Sequence, residues 1–442
     1  MSAHAKKEAL RVATRLREAG HVAYFAGGAV RDHLLGKTPK DFDIATSARP
    51  EEVRALFPKS DAVGAHFGVI IVKAPGFATE VATFRTDGSY QDGRRPESVT
   101  FSTPEEDAKR RDFTINGLFQ DPESSEIIDH VGGRNDLENG LIRAIGDSAA
   151  RFQEDALRLL RAIRFSVVTG FPIEKKTWAA IQENAALLVQ ISPERIRDEF
   201  SKIITHPDRA RGLDLLVESG LIAHFLPEVL PLIGCEQPPQ WHPEGDVFVH
   251  TRIALSLLED DAPLELCLAV LLHDIAKPPT QTWDAEQERH RFNGHDAVGA
   301  EMTEKILRRL RFSNQITDRV REMVAHHMRF MHVKDMRVAK VKLFMARPTF
   351  PLEMELHRVD CQSSNGFTDN YDFLRQKEEE FANEPLIPPP LVTGRDLIAN
   401  GMDAGPEFGK ILRRIQNLQL EKTINTREEA LILLATLLPD KK

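Results

Sequence analysis

The sequence predicts an α+β protein, with a small mixed head followed by a long helical remainder. Three observations lead there. Segments with β-branched alternation are confined to roughly the first third of the chain. Beyond about residue 150 the apolar residues recur with helical periodicity. No apolar run approaches the roughly 18 residues of a membrane helix; the longest candidate, "LELCLAVLL", has half that length. The 442 residues correspond to about three domains at roughly 100–200 residues each.

In order, "MSAHAKKEALRVATRLREAGH" reads as an amphipathic helix, not a signal peptide. "VAYFAGGAV" is a strand running into a Gly-Gly turn, and "GVIIVKA" and "ATEVATFRT" are strands joined by "PGF". "EDALRLLRAIRFSVVTG" is a helix stopped by Gly170. "PERIRDEFSKII", "ALSLLEDD", "AEMTEKILRRLRF" and "GKILRRIQNLQLEK" continue the helical pattern. "CEQPPQWHPEGD" (235–246) reads as a linker and "NEPLIPPPLVTG" (383–394) as a second break. Three scattered cysteines form no CxxC and no disulfide framework, which implies a reducing, cytoplasmic compartment. The net charge of −9 argues against a surface broadly suited to nucleic acid. Residues 151–211 nevertheless hold eleven Lys/Arg against eight Asp/Glu, a modest basic patch or an ordinary solvated helix face.

The head carries chemistry in two stretches. Gly27 and Gly28 stand between a strand and a helix pattern, where backbone N–H groups favour phosphate. Downstream, "PKDFDIATS" places Asp41 and Asp43 at alternate positions of a strand-like stretch, on one face. Neighbouring carboxylates repel and call for water or a cation. Mg2+ held by oxygen ligands beside a triphosphate is what phosphoryl transfer requires. Two such ions activate an attacking hydroxyl and neutralise a leaving pyrophosphate. Glu80 is a third acidic candidate, with a plain surface glutamate as the alternative.

Taken together and in order, "GGAVRDHLLGKTPKDFDIATSA", "KRRDFTINGLF", "DHVGGRNDLENGLIRAIG" and "EDALRLLRAIRF" resemble the tRNA nucleotidyltransferase (CCA-adding) and bacterial poly(A) polymerase family, in its eubacterial arrangement. The resemblance implies a polymerase-β-like nucleotidyltransferase head over 1–146, a helical neck with a base-selecting helix over 147–234, a body over 235–382 and a tRNA-binding tail over 383–442. It implies tRNA, CTP and ATP as partners, with no membrane. By resemblance, Asp41 and Asp43 are the metal carboxylates, and Gly27, Gly28 and Arg31 contact the triphosphate. Arg110, Arg111, Asp112 and Asn116 match the block implicated in nucleotide sugar and phosphate binding. Gly117 departs from the alanine of many relatives.

"EDALRLLR" permits a physical argument of its own. On a helix, Asp155 and Arg158 share a face, with Arg161 one turn further and Leu157, Leu160 and Ile163 opposite. An acceptor beside a donor fits the amine and ring nitrogen of cytosine and of adenine, and mismatches guanine and uracil. The resemblance assigns these positions that protein-templating role; taken alone, the pair reads as a surface ion pair. In "PERIRDEFSKI", Arg195 and Arg197 support the neck or touch RNA. The loop "TDGSYQDGRRPESV", with Gly88, Gly93, Arg94 and Arg95, resembles the segment that A-adding relatives need.

The remaining motif is a histidine series in apolar helical contexts: His250, His273, Asp274, His295, His326, His327 and Asp360. A His-Asp pair between Leu and Ile is hard to bury without a partner. Imidazole and carboxylate together suit Mn, Fe, Ni, Co or Zn. The series resembles the HD phosphohydrolase superfamily, which implies one metal on His250, His273, Asp274 and Asp360. A second would lie on His295 and either His326 or His327. It also implies a phosphohydrolase activity on RNA ends. Two other readings stay open: a poly(A) polymerase, and an HD hydrolase whose head only binds RNA.

Overall fold

The computed structural model describes residues 2–39, 41–64, 68–74, 77–88, 99–403 and 405–437. The chain divides into two compact units, residues 1–230 with 309–312 and residues 231–308 with 313–442.

The first unit opens with helix α1 (Ser2–Glu18), β1 (Ala23–Ala26), α2 (Gly28–Leu34), β2 (Asp43–Thr46) and α3 (Pro50–Leu56). Strands β3 (Ser60–Gly64), β4 (Val69–Ala74) and β5 (Phe77–Thr83) follow, with a separate hairpin of β6 (Arg85–Asp87) and β7 (Val99–Phe101). Next come α4 (Pro104–Lys109), β8 (Leu118–Gln120), β9 (Ile127–Asp129) and α5 (Gly133–Glu138). The main sheet has the order β3-β4-β5-β2-β1-β8-β9. Only the β2–β5 pair is parallel among its described pairings. Alternation decides what each face meets. Ile44 and Val81, partners across β2 and β5, are buried on the face beneath Asp43. Ala26, Ala45, Phe84, Ala108 and Phe119 form a core cluster on the other.

Five α-helices follow in this unit, α6 (Ser148–Glu154), α7 (Leu157–Thr169), α8 (Lys175–Asn184), α9 (Pro193–Ile204) and α10 (Arg209–Glu218), with short 3-10 turns after α8 and α10. Leu157, Leu160 and Ile163 are buried, and α7 ends at Gly170, whose φ of 78° is the left-handed conformation glycine accepts.

The second unit contains α11 (Val247–Ser256), α12 (Leu264–Leu272), α13 (Lys277–Thr280), α14 (His295–Arg309), α15 (Asn314–His326), α16 (Val338–Met345), α17 (Phe350–Ser363) and α18 (Asp369–Phe381). The final helices are α19 (Gly394–Ala399), α20 (Pro406–Leu420) and α21 (Arg427–Leu437). Helix α12 is apolar all round, so it must be enclosed; α11, α15 and α17 pack against it. Two expectations are corrected here. Helix α11 ends at Ser256, so "LLEDD" is not helical: Asp260 and Asp261 leave the apolar pattern and the chain turns. Nor is this region wholly helical. Thr282–Asp284 (β10) and Arg289–Arg291 (β11) form an antiparallel hairpin, too short for a periodicity to announce it.

Candidate functional site

In the head, Asp43 opens β2 opposite Ala26, the last residue of β1. Asp41 lies ahead of the strand, not within it. The chain leaves β1 at Gly27, so the ladder with β1 stops at Asp43 and residue 41 has no place in it. The parallel register sets Ile44 beside Val81, which brings Asp43 and Glu80, one residue earlier on each strand, alongside one another. All three carboxyl groups reach solvent, yet the walls of the site crowd that of Asp43. This partial desolvation, with like charge from Glu80 and then Asp41, raises its pKa to about 6, against the pull of Arg111. A place that penalises each added negative charge fits a bound cation.

Gly27 adopts φ 65°, and a Cβ there would sit 3.2 Å from Arg111 Nη1. Glycine therefore lets the turn close on this guanidinium, which also lies over the Phe119 ring at 4.9 Å. Arg110 and Arg111 are held by one buried carboxylate. Arg110 Nε donates to Asp107 Oδ1 at 2.8 Å, while Arg111 Nε and Nη2 donate to Asp107 Oδ2 at 3.1 Å. Asp107 was not singled out from the sequence. Its signal was the spacing, three and four residues before the arginines at the end of α4.

A second chain of bonds ties α2 to α7. Arg31 Nη1 donates to Asn116 Oδ1 (2.8 Å), Asn116 Nδ2 donates to Asp112 Oδ1 (3.2 Å), and Arg161 donates twice to Asp112 Oδ2 (2.8 and 2.5 Å). Burial of Asp112 favours its neutral form, but the charge and hydrogen bonds of Arg161, with those of Asn116 and the Phe113 N–H, win and hold its pKa at about 2. Gly117 stands beside this network, and a Cβ there would lie 2.6 Å from Val131 Cγ2. The space an alanine would need is taken by that valine methyl.

Asp155 and Arg158 do not share a helix. Asp155 sits in extended conformation between α6 and α7. Its Oδ1 accepts the Leu157 N–H (3.1 Å), so the side chain competes with helical bonding and breaks the helix there. Nor do the two pair with each other: Asp155 binds Arg195 (2.8 Å), and Arg158 binds Glu154 (2.5 Å) and the Arg110 carbonyl (3.0 Å). Arg197 binds Asp198 and the Arg311 carbonyl. Of the loop at 86–99, Gly93, Arg94 and Arg95 lie outside the described residues.

The second unit gathers the histidines. His250 Nε2 lies 3.3 Å from His273 Nε2 and 3.1 Å from Asp360 Oδ1, and His273 Nε2 is 3.3 Å from Asp274 Oδ2. On the other side of Asp274, Oδ1 lies 3.4 Å from His295 Nε2 and 3.9 Å from His327 Nε2. His295 and His327 approach at 3.1 Å between their Nε2 atoms. Each ring is aimed by its other nitrogen. Nδ1 of His273, His295 and His327 meets the carbonyl of Val270, Phe292 and Val324 at 2.8, 2.7 and 2.6 Å. Nδ1 of His250 meets Glu244 Oε1 at 2.8 Å. With Nδ1–H so engaged, neutral rings turn lone pairs inward at Nε2. Facing lone pairs repel unless a proton or metal ion lies between them, so both groups fit a cation. Without one, protons serve. Burial would deprotonate His250, but Asp360 and Glu244 lift its pKa to about 9. Burial and its His273 and His295 neighbours push His327 down to about 4.

Of His326 and His327, it is His327 that faces His295 and Asp274. His326 turns away towards Glu353 (3.4 Å), where the Arg347 guanidinium, 2.8 Å from its Nδ1, takes the place a cation would need. The stretch read as a linker is also corrected. Residues 235–246 supply Glu244 to His250, and Gln237, whose Oε1 accepts from Lys277 (2.6 Å). The Lys277 ammonium, buried, stands 2.7 Å from Asp274 Oδ2. Aperiodic Pro-rich chain can be packed chain, because prolines remove donors that would otherwise need partners.

Residues 23–143 match the poly A polymerase head domain, 170–233 a probable RNA- and SrmB-binding site of polymerase A, and 242–360 the HD domain. The CCA-adding enzyme of Geobacillus stearothermophilus is 51% identical over 220 residues; the chain spans 54% of that relative's length, and 50% of the chain is matched. A crystal structure of the Bacillus stearothermophilus CCA-adding enzyme in complex with CTP superposes with a TM-score of 0.76 at 29% identity, over 97% of this chain and 96% of that one. No described helix is long and apolar enough to cross a membrane. The CCA-adding enzyme of Lactobacillus gasseri is 34% identical over 428 residues, 96% of this chain and 95% of the relative. On that full-length likeness, the chain belongs to the CCA-adding enzyme family.

Proposed function

We propose that the chain adds CCA, or its terminal A, to the 3′ end of tRNA from CTP and ATP without a nucleic-acid template, and that its HD region is a metal-dependent phosphohydrolase. The observation that carries the first activity is the crowding of Asp43 by Glu80 and Asp41 beside Arg111 and the Gly27 turn. The terminal hydroxyl oxygen of the RNA would form a bond to the α-phosphorus while the bond to pyrophosphate breaks. Its proton passes to the carboxylate group of the site. Asp41 and Asp43 would hold Mg2+, which supplies charge stabilisation to the phosphoryl oxygens. Arg31, Arg110 and Arg111 would meet the triphosphate and sugar; Asp107 and Asn116 fix their directions in advance.

Asp155 and Arg158 would exchange Arg195 and Glu154 for a base edge. An acceptor beside a donor suits C and A, and each bond to a charged group that G or U cannot make costs roughly 1–3 kcal/mol. In the HD region, His250, His273, Asp274 and Asp360 would hold one metal, and Asp274, His295 and His327 a second. The facing Nε2 atoms support this reading.

One assay tests the main proposal. The chain is incubated with Mg2+ and a tRNA lacking its 3′ end, with each nucleoside triphosphate alone and all four together. Addition that stops at CCA, or at a single A on a CC end, supports it. Unlimited A addition would make the chain a poly(A) polymerase, and no incorporation would refute both. Hydrolysis of bis(p-nitrophenyl) phosphate with Mn2+, Co2+ or Ni2+, abolished by His273→Ala, tests the second activity.

A further inference from the structure

Helix α7 brings Arg161, Arg164 and Phe165 to one face, at i, i+3 and i+4. Phe165 is buried, and three guanidiniums lie around its ring. Arg164 Cζ is 4.3 Å from the ring centroid; Arg161 Cζ and, from α2, Arg31 Cζ are each 5.2 Å away. Among the described residues no other ring has three cations over it. The buried Phe113 ring meets Phe165 edge to face, with 5.7 Å between centroids, and fixes its plane.

Like charges gathered this way repel. Each guanidinium has a carboxylate: Asp32 for Arg31 at 2.7 Å, Asp112 for Arg161 at 2.5 Å and Glu199 for Arg164 at 2.8 Å. Burial nevertheless lowers the pKa of Arg164, and Arg161 and Arg31 add to that effect against the pull of Glu199. A ring that served packing alone would not need cations about it. An aromatic face holds a guanidinium without neutralising it and without taking its N–H donors, whereas a carboxylate does both. Arg31 gives Nε and Nη2 to Asp32 Oδ1 and Nη1 to Asn116 Oδ1. Its Nη2 also lies beside the Gly27–Gly28 turn, 3.7 Å from where a Cβ on Gly28 would stand. The cation is thus fixed in direction, next to the turn where phosphate is expected.

We propose that Phe165 is a positioning residue for nucleotide addition: its ring aims Arg31 at the triphosphate. The inference rests on the nucleotidyltransferase reading and adds to it a buried aromatic that acts through Arg31, not by touching the nucleotide. CTP and ATP share the phosphates, so the ring serves both alike.

The test measures KM and kcat for each triphosphate the full chain incorporates into tRNA lacking part of its 3′ end. Phe165→Met fills the space without an aromatic face. Phe165→Tyr keeps the face and adds a buried hydroxyl. An aiming role predicts that Phe165→Met raises KM for CTP and ATP by a similar factor, roughly three- to tenfold. It predicts kcat within about twofold of the unaltered chain, and a KM in Phe165→Tyr close to the original. A packing role predicts the reverse order, with Met tolerated and Tyr the worse. Phe165→Leu should repeat the rise seen with Met, and urea unfolding identifies any variant that is not folded. On an Arg31→Gln background the effect of Phe165→Met on KM should vanish, since no guanidinium is left to aim. An unchanged KM in the folded Met and Leu variants overturns the inference alone. So does a rise for one triphosphate but not the other, a Tyr variant that matches Met, or a rise of full size on Arg31→Gln. No incorporation by the unaltered chain removes the nucleotidyltransferase reading and this inference with it.

Discussion

The two acidic sites of this chain solve the same electrostatic problem in opposite ways. In the head, Asp41, Asp43 and Glu80 come from a strand end, its approach and a neighbouring strand, and they reach solvent. Desolvation of Asp43 and the like charge of Glu80 and Asp41 are opposed by Arg111, and its pKa stays high. In the HD region, buried Asp274 is ringed by four imidazoles and an ammonium, each aimed by a backbone carbonyl or a second polar group. An open carboxylate site leaves room for a nucleotide to bring its own oxygens to a cation. An enclosed imidazole site supplies the ligands itself.

The contrast can be broken most sharply at Asp43. Asp43→Ala should lower nucleotide addition by roughly a thousandfold, about 4 kcal/mol of transition-state stabilisation, as read by incorporation on tRNA lacking its 3′ end. Next in size is the support between α2 and α7. Asp112→Ala would leave Arg161 buried without its carboxylate and should cost about 3 kcal/mol or more, as measured by urea unfolding. The same residue predicts an acid limb. Its pKa is depressed to about 2 in the folded chain, so its contribution is complete above the unfolded carboxylate range near 4. It is lost as pH falls through about 2, roughly 2 kcal/mol in all. Unfolding free energies measured between pH 5 and pH 2 should show that slope, and Asp112→Asn should flatten it. The smallest effect concerns the enclosed site: Glu244→Gln should weaken Mn2+ retention by roughly tenfold, through loss of the aim on His250. An unchanged affinity would mean that the ring is held by packing.

Much of both sites was legible in the residue pattern, because chemistry-bearing residues were grouped along the chain. The Gly-Gly turn, the Arg-Arg-Asp block and the His-Asp dipeptide all stand where their order suggested. What could not be read was whatever depends on a partner far away or on a local exception. The approach of Glu80 to Asp43 comes from a parallel register between strands over thirty residues apart in the chain. The break at Asp155 arises because a short polar side chain captured a backbone N–H that the helix would otherwise have used. His326 and His327 are adjacent and chemically identical; what distinguishes them is distant in the chain, the Arg347–Glu353 pair at one and His295 with Asp274 at the other. Gln237 and Glu244 were hidden in a Pro-rich stretch without periodicity, where pattern carries no information about burial.

One carboxylate gives the HD region a property that neither histidine group has by itself. Asp274 turns Oδ2 to one imidazole pair and Oδ1 to the other. The first ion to bind would therefore orient that carboxylate for the next. Loading would then be a joint event, and replacing this single aspartate would empty both places at once.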